Sequence, residues 1–446
     1  MKKKIVLIGA GLTGPLLAYY LSERGFKVEI YERRSDLRCN NISAGRSINL
    51  ALSARGINAL MEVGIYDRIA PFAIPMGGRN IHDIDSSEHL QSYGQSEKEV
   101  IYSISRSKLN MEIMTLAEST GKIKINFNHS CTNVNLKKNL VYVTDENNCK
   151  EKIINFDIIL GVDGSGSAVR DAMVREAGVS YNYKPLDHSY KELTIPPDAN
   201  GYYQMNPNAL HIWPRGKFML IALPNIDKSF TCTLFMPEKG EISFNTVSTD
   251  NDIISLFSKY FPDTIPLIPE LISEFKNNPT GELGSVYCDP WHFEDKAAIL
   301  GDAAHALVPF FGQGMNASFQ DCSVLNNLIK RYENNWGLIF SEFSRIHVKN
   351  GHAIVKMALE NYIEMRDHVN DPDYKNRRKL ELKLERMFPE EFIPRYSMVS
   401  FHQIEYSEVY TRGEKQLNIL EKILNNYKIA EVDKKTAKKF MLQQDL

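Results

Sequence analysis

The sequence predicts an α/β chain with three parts: a Rossmann-like (GxGxxG) dinucleotide-binding domain, an inserted antiparallel-sheet domain and a mainly helical C-terminal region. Three stretches predict the first part. Lys4–Glu32 runs from a β-branched segment through G-A-G-L-T-G and a helix-spaced apolar pattern to a second strand ending at an acid. Asp157–Arg170 (DIILGVDGSGSAVR) is a buried-looking strand, an Asp163-Gly164 turn and a helix start. Ile299–Asn316 (ILGDAAHALVPFFGQGMN) repeats that plan with Gly301-Asp302, then opens a helix at Gly312-Gln313-Gly314. Short alternating strands between the second and third stretches predict the inserted sheet.

Composition narrows the function classes. The chain has 446 residues, 43% hydrophobic and 24% charged, which are globular values with room for several domain-sized units. A formal net charge of −2 gives no electrostatic case for nucleic acid. Its six cysteines are scattered with no C-x-x-C pair, as expected of reduced thiols in the cytoplasm and not of a disulfide framework or zinc site. His347 and His352 lack the H-E-x-x-H pattern, so no metal is expected. Lys2-Lys3-Lys4 before an apolar run imitates a signal peptide, but Gly9, Gly11, Gly14 and Pro15 break that run. No stretch approaches a membrane span and the C-terminal end is polar, so a soluble chain without a membrane anchor is expected.

The elements follow in order. Gly9 permits the tight turn, Gly11 lets a pyrophosphate approach the backbone, and Gly14 lets helix and strand pack closely. Glu32 falls about 20 positions beyond the fingerprint, where an acid binds a ribose hydroxyl. Arg46 and Ser47 read as cofactor contacts or as a solvated loop. Ser53–Val63 reads as a helix with Ile57, Leu60 and Met61 on one face. Short strands are expected around Arg79 and His82, with a polar loop through Tyr93. A strand then leads to a helix from Arg106 carrying Leu109, Ile113 and Leu116, followed by alternating strands to Phe156.

From Tyr181 to about Leu283 the pattern reads as all-β. Phe230, Cys232 and Leu234 alternate with Thr231, Thr233 and Phe235 as in a half-buried strand, and Trp213 and His211 are core or rim. The glycine-opened helix near Gly314 presents backbone N–H groups and a positive dipole end to an anion, beside an apolar wall of Phe310 and Phe311. Beyond it run two helical stripes, Phe319/Cys322/Leu325/Leu328 and Ile354/Met357/Ala358/Met365. Asn361 shares the second face, either as a satisfied buried amide or as a group facing a ligand. The remainder is charged helix, apart from a strand-like FIPRYSMVSF at 392–401. The expected domains are 1–75, 100–180 and 285–330 for the dinucleotide, 76–99 and 181–284 for the antiparallel sheet, and 331–446 for the helical region.

The combination of G-A-G-L-T-G, Asp163-Gly164 and Gly301-Asp302 resembles the single-component, FAD-containing aromatic hydroxylases. GRSINLALS (45–53), QSYG (91–94), LHIWPR (210–215), SFTCTLFMP (229–237), VPFFGQGMN (308–316), ENYIEMR (360–366) and FIPRYSMV (392–399) resemble their kynurenine-hydroxylating branch, over Lys4 to about Arg412. The resemblance implies bound FAD, with NADPH and O2 converting L-kynurenine to 3-hydroxykynurenine through a flavin C4a-hydroperoxide. By matching position it implies cofactor contacts at Gly9, Gly11, Thr13, Gly14, Glu32, Arg33, Ala51, Arg106, Cys131, Asp302, Gly314, Met315 and Asn316. It implies substrate contacts at Arg79, Tyr93, Asn361 and Tyr396. No side-chain base is obligatory, since the substrate's own amino group feeds electron density into the ring; Pro309, Phe310 and Phe311 would position that ring. Eukaryotic relatives end in a hydrophobic anchor, and the polar C-terminal residues of this sequence lead us to expect none here. The rival readings are a flavin dehydrogenase, a hydroxylase of another aromatic compound, or a non-catalytic flavin-binding protein on the same frame.

Overall fold

A computed structural model describes residues 3–39, 49–94, 96, 98–368 and 371–444; Arg46 and Ser47 lie outside them. The chain divides into two compact units of three segments each, 1–73, 104–185 and 284–355 in the first and 74–103, 186–283 and 356–446 in the second.

The first unit is built on a six-stranded sheet ordered His292–Phe293, Ala297–Ile299, Ile158–Gly161, Ile5–Ile8, Val28–Tyr31 and Ile123–Asn126. The pairs are parallel except the first. Leu7 lies opposite Ile30 on one side and Leu160 on the other, so the fingerprint strand is central. Ile5, Val6 and Leu7 are fully buried, as a parallel strand covered on both faces requires. Helices Thr13–Glu23, Arg106–Ser119 and Gly314–Arg331 pack around it, and His129–Asn135, Leu140–Asp145 and Lys150–Asn155 form a separate antiparallel ribbon. The helix Ala54–Glu62 presents Arg55, Gly56, Ala59 and Leu60 inward, whereas Met61 is 61% exposed, which corrects the expected face. The cause is Gly56: a Cβ there would meet Leu52 and Asn316 at 2.7 and 2.5 Å, so the helix docks through its glycine.

In the second unit, Ser180–Ile195 (from residue 186), Phe230–Pro237, Met219–Pro224, Leu210–Pro214, Gly78–His82 and Glu88–Ser92 neighbour one another in that order. Glu88–Ser92 is thus a strand where a polar loop was expected; it pairs antiparallel with Gly78–His82, Arg79 opposite Gln91. The all-β expectation for 181–283 is also corrected. Asp250–Tyr260 and Leu271–Asn277 are helices, the first opened by a capping box between Thr249 and Asp252. Ile253, Leu256, Phe257 and Phe275 bury against strand residues Leu220, Phe230, Cys232 and Leu234. Thr233 and Phe235 are buried as well, so this strand is covered on both faces and its alternation is not half-buried. Arg395–Phe401 is a helix, not a strand: Pro394 sits at its N-cap, and so short an apolar run fits either period. Helices Pro372–Met387, Tyr406–Leu424 and Lys434–Leu442 share a core of Leu380, Leu384, Ile419, Ile423 and Met441. Among the described residues no helix is long and apolar enough to cross a membrane.

One buried polar cluster gives this unit a pH signature. His211 Nε2 donates to the Asn206 carbonyl (2.8 Å), so His211 Nδ1 accepts from His82 Nε2 (2.8 Å). His82 stacks on Trp213 at 4.1 Å, and Trp213 Nε1 donates to Asp263. Burial pushes the pKa of His211 down to about 4. An unfolded histidine takes up its proton near pH 6.5, before the native one does, so stability falls as pH drops from about 6.5 towards 4 and then levels off. The loss is at most about 3–4 kcal/mol. Thermal melts at pH 7.5 and 5.0 should show a lower midpoint in acid, and His211→Asn should flatten the difference; an equal slope in the variant removes His211 as its source.

Candidate active site: a dinucleotide cradle and a buried arginine

In the first unit the fingerprint glycines have distinct duties. Gly9 has φ +104°, and a Cβ there would lie 2.5 Å from the Val162 carbonyl oxygen. A Cβ on Gly14 would lie 2.1 Å from the Gly9 carbonyl oxygen. A Cβ on Gly11 would meet nothing within 4 Å among the described residues. Two of the glycines therefore keep the loop in shape, and the third leaves open space before the helix start at Thr13. That helix has no acid in its first turn, which fits an anion such as a pyrophosphate.

Glu32 is buried at the end of the next strand. Its carboxylate accepts from the backbone N–H of Ala10 (2.7 Å) and from the backbone and Nε of Arg34 (2.9 and 2.8 Å). Burial alone would raise its pKa, but the Arg34 bonds and charge overcome this and hold it below the usual value. Arg33 and Arg106 are exposed. On the other side, Asp163 Oδ2 accepts from the Ala168 N–H (2.8 Å) while its buried Oδ1 has no hydrogen-bond partner among the described residues. Cys131 stands close enough that burial, then the Asp163 charge, push its thiol up to about 12. It is a neutral thiol at pH 7.

Gly301, at φ +60°, begins the Asp302 turn, and its N–H donates to Asp321 Oδ2 (2.9 Å). Asp321 also receives His305 Nε2 (2.6 Å) and His347 Nδ1 (2.9 Å), all three buried, with Trp291 stacked 5.0 Å from His305. Burial works against both charges, yet their mutual attraction raises the pKa of His305 and holds Asp321 well below the carboxylate range. Sequence reasoning missed this network; an acid inside the Phe319–Cys322 stripe was its available signal. Asp302 and Pro309 are exposed, and Phe310, Phe311 and Met315 are buried. Asn316 is a clamp: Oδ1 accepts from Ser53 N–H (2.9 Å), and Nδ2 donates to the Ala51 and Gly312 carbonyls (both 2.8 Å). That brings Ala51 beside the start of the Gly314 helix, where a Cβ on Gly314 would meet nothing within 4 Å.

The four expected substrate residues all lie in the second unit. Arg79 is buried on the strand Gly78–His82, its guanidinium 4.9 Å from the Tyr396 ring centre and 5.8 Å from that of Tyr93. Those two rings stack at 4.9 Å. Among the described residues Arg79 Nε has no hydrogen-bond partner, and the side chain's ion pair is a long one, 4.0 Å to Glu364. Glu364 also accepts from Tyr374 Oη (2.8 Å). Burial raises the pKa of Tyr93, Tyr374 and Tyr396, so all three stay neutral hydroxyls. Asn361 is buried, its Nδ2 3.3 Å from Met365 Sδ. The residues missed from sequence are Glu364 and Arg378, whose guanidinium donates to the Tyr93 carbonyl (2.8 Å).

A parallel sheet with this cradle, joined in one chain to an antiparallel sheet carrying a buried cation, suits a dinucleotide cofactor and an anionic substrate, and similarity to known proteins places it among FAD-dependent hydroxylases. Residues 2–337 match the family described as FAD binding domain. In fold the chain is similar to 2-methyl-3-hydroxypyridine-5-carboxylic acid oxygenase (TM-score 0.67, 17% identity, covering 84% of this chain and 95% of that one). It is also similar to tetracycline destructase Tet(51) (TM-score 0.63, 18% identity, 91% and 99%). In sequence it is 44% identical to the kynurenine 3-monooxygenase of Xanthomonas euvesicatoria pv. vesicatoria (strain 85-10), over 94% of this chain and 91% of that protein. The identity is again 44% to that of Myxococcus xanthus (strain DK1622), over 92% and 89%. The chain belongs to the kynurenine 3-monooxygenase family.

Proposed function

We propose that this chain hydroxylates L-kynurenine at ring carbon 3, consuming NADPH and O2 with FAD bound in the first unit. The family supports the reaction, and Arg79 is the observation that carries the substrate. The buried guanidinium lies over the neutral rings of Tyr93 and Tyr396 and meets the Glu364 carboxylate only at 4.0 Å, so an anion that reached it would meet a charge not yet closely paired with a carboxylate. Its fork of donors fits an α-carboxylate. Glu364, 4.0 Å away, supplies the opposite charge for the ammonium, so the pair matches a zwitterionic amino acid better than a simple phenolic acid.

Bound FAD supplies hydride acceptance from NADPH and activation of O2 for transfer to the ring. In the cradle, Gly9, Gly11, Thr13 and Gly14 are assigned the pyrophosphate, Glu32 and Arg33 the ribose side, and Ala51, Arg106, Cys131 and Asp302 the remainder. The helix opening at Gly314, with Met315 and Asn316, would offer its positive end and backbone N–H groups to negative charge on the reduced cofactor. Arg79 binds and orients the amino-acid end, with the neutral hydroxyls of Tyr93 and Tyr396 and the amide of Asn361 as further hydrogen-bonding groups. No protein base is needed, because the substrate's ring amino group activates the carbon that is attacked.

Anaerobic reduction with NADPH tests this reading. Kynurenine should accelerate bleaching of the flavin band, and in air 3-hydroxykynurenine should accumulate in step with NADPH loss. NADPH oxidation without O2 uptake would indicate a dehydrogenase, a response to phenolic acids alone would indicate another substrate, and no reduction under any condition would indicate a non-catalytic flavoprotein.

A further inference from the structure

The sequence carries a single G-x-G-x-x-G fingerprint, assigned here to FAD, so no second nucleotide fold accounts for the reductant. The second unit holds a groove of about 820 Å³ between the edge strand Glu88–Ser92 and the helix Pro372–Met387. The far face of that helix is fixed by Leu380 and Leu384 in the C-terminal core, and Lys383 donates to the Ile429 carbonyl. Its groove face reads Lys375, Arg378, Lys379, Leu382, Arg386, which are helix neighbours spaced three and four apart. The cations run about 16 Å along the axis. In a chain of net charge −2 that concentration is local. Arg378 is paired with Glu381, and on the strand side Asp83 stands near His89 (3.4 Å), so among the described residues the exposed Lys375 and Lys379 bring positive charge to the groove. Leu90, 57% exposed, and Leu382 give the groove an apolar floor.

We propose that this groove binds the phosphorylated adenosine half of NADPH, with the lysines on its phosphates and the leucines under its base. A single carboxylate needs one fork, which Arg79 already offers, whereas a row of cations beside apolar side chains matches a polyanion with a flat ring. The assignment rests on the NADPH dependence proposed above. Arg378 anchors the Tyr93 carbonyl and is therefore unsuited to a test; Lys375 and Lys379 are exposed.

Calorimetry of the FAD-loaded protein with adenosine 2′,5′-bisphosphate reads the groove without any turnover. The parent should bind it, more weakly as salt rises, and Lys375→Glu/Lys379→Glu should weaken binding at least tenfold. In the coupled assay KM for NADPH should rise similarly, and KM for NADH, which lacks the 2′-phosphate, should rise less; flavin content and kynurenine affinity should hold. Lys375→Gln/Lys379→Gln, which adds no repulsion, should give a smaller loss in the same order. Absence of binding by the parent, unchanged affinity in both variants, or a loss of kynurenine affinity in place of nucleotide affinity would overturn the proposal. A protein that binds the bisphosphate in this lysine-dependent way but does not hydroxylate kynurenine would refute the function and leave the groove standing.

Discussion

Arg79→Ala is expected to weaken kynurenine binding about 10- to 150-fold, because a hydrogen bond to a charged group contributes roughly 1.5–3 kcal/mol. Flavin content should stay normal, since Arg79 belongs to the second unit and the cofactor cradle to the first. If the carboxylate contact is equal in ground and transition states, KM rises more than kcat falls. A poorly held ring should divert more NADPH to H2O2. Arg79→Lys keeps the charge and loses the fork, so it should recover part of the affinity only. The guanidinium also packs over Tyr93 and Tyr396, so thermal midpoints must accompany the titrations. Tight kynurenine binding by a well-folded Arg79→Ala protein would remove this residue from the site.

The second large effect separates two glycines three positions apart. Gly11→Val should lose most of its flavin absorbance yet keep the parent's circular dichroism, because its side chain enters open space where the pyrophosphate is assigned. Gly14→Ala should instead lose stability, by about 1–3 kcal/mol or more, since its Cβ would press on the Gly9 backbone at 2.1 Å. Full flavin retention by Gly11→Val would refute the pyrophosphate assignment. Equal melting of the two variants would refute the division of labour.

The cradle was legible because its logic is local: strand, glycines, helix, strand and acid follow one another within Lys4–Glu32. The Gly301 turn and the Gly314 helix were legible for the same reason. What escaped depends on partners far apart in the chain, as when Asp321 meets Gly301, His305 and His347, or Arg378 reaches Tyr93. The helices at 250–277 were overlooked because neighbouring strands set the reading, although Ile253, Leu256 and Phe257 keep helical spacing. The segment 392–401 failed where a short apolar run carries no period of its own.

The central place of Ile5–Ile8 has a consequence for how the protein comes into being. This strand is made before both its partners, but one of its two neighbours is Ile158–Gly161, and that strand in turn pairs with Ala297–Ile299. Gly9 acquires its backing only when Val162 has been made, and the cradle acquires its last turn only with Gly301. Long-range parallel pairing of this kind is slow, and until it closes, the nascent chain carries a bare apolar strand that attracts wrong partners. Capture of the flavin is therefore expected late in biosynthesis, and ribosome-bound chains halted before residue 301 should not retain it.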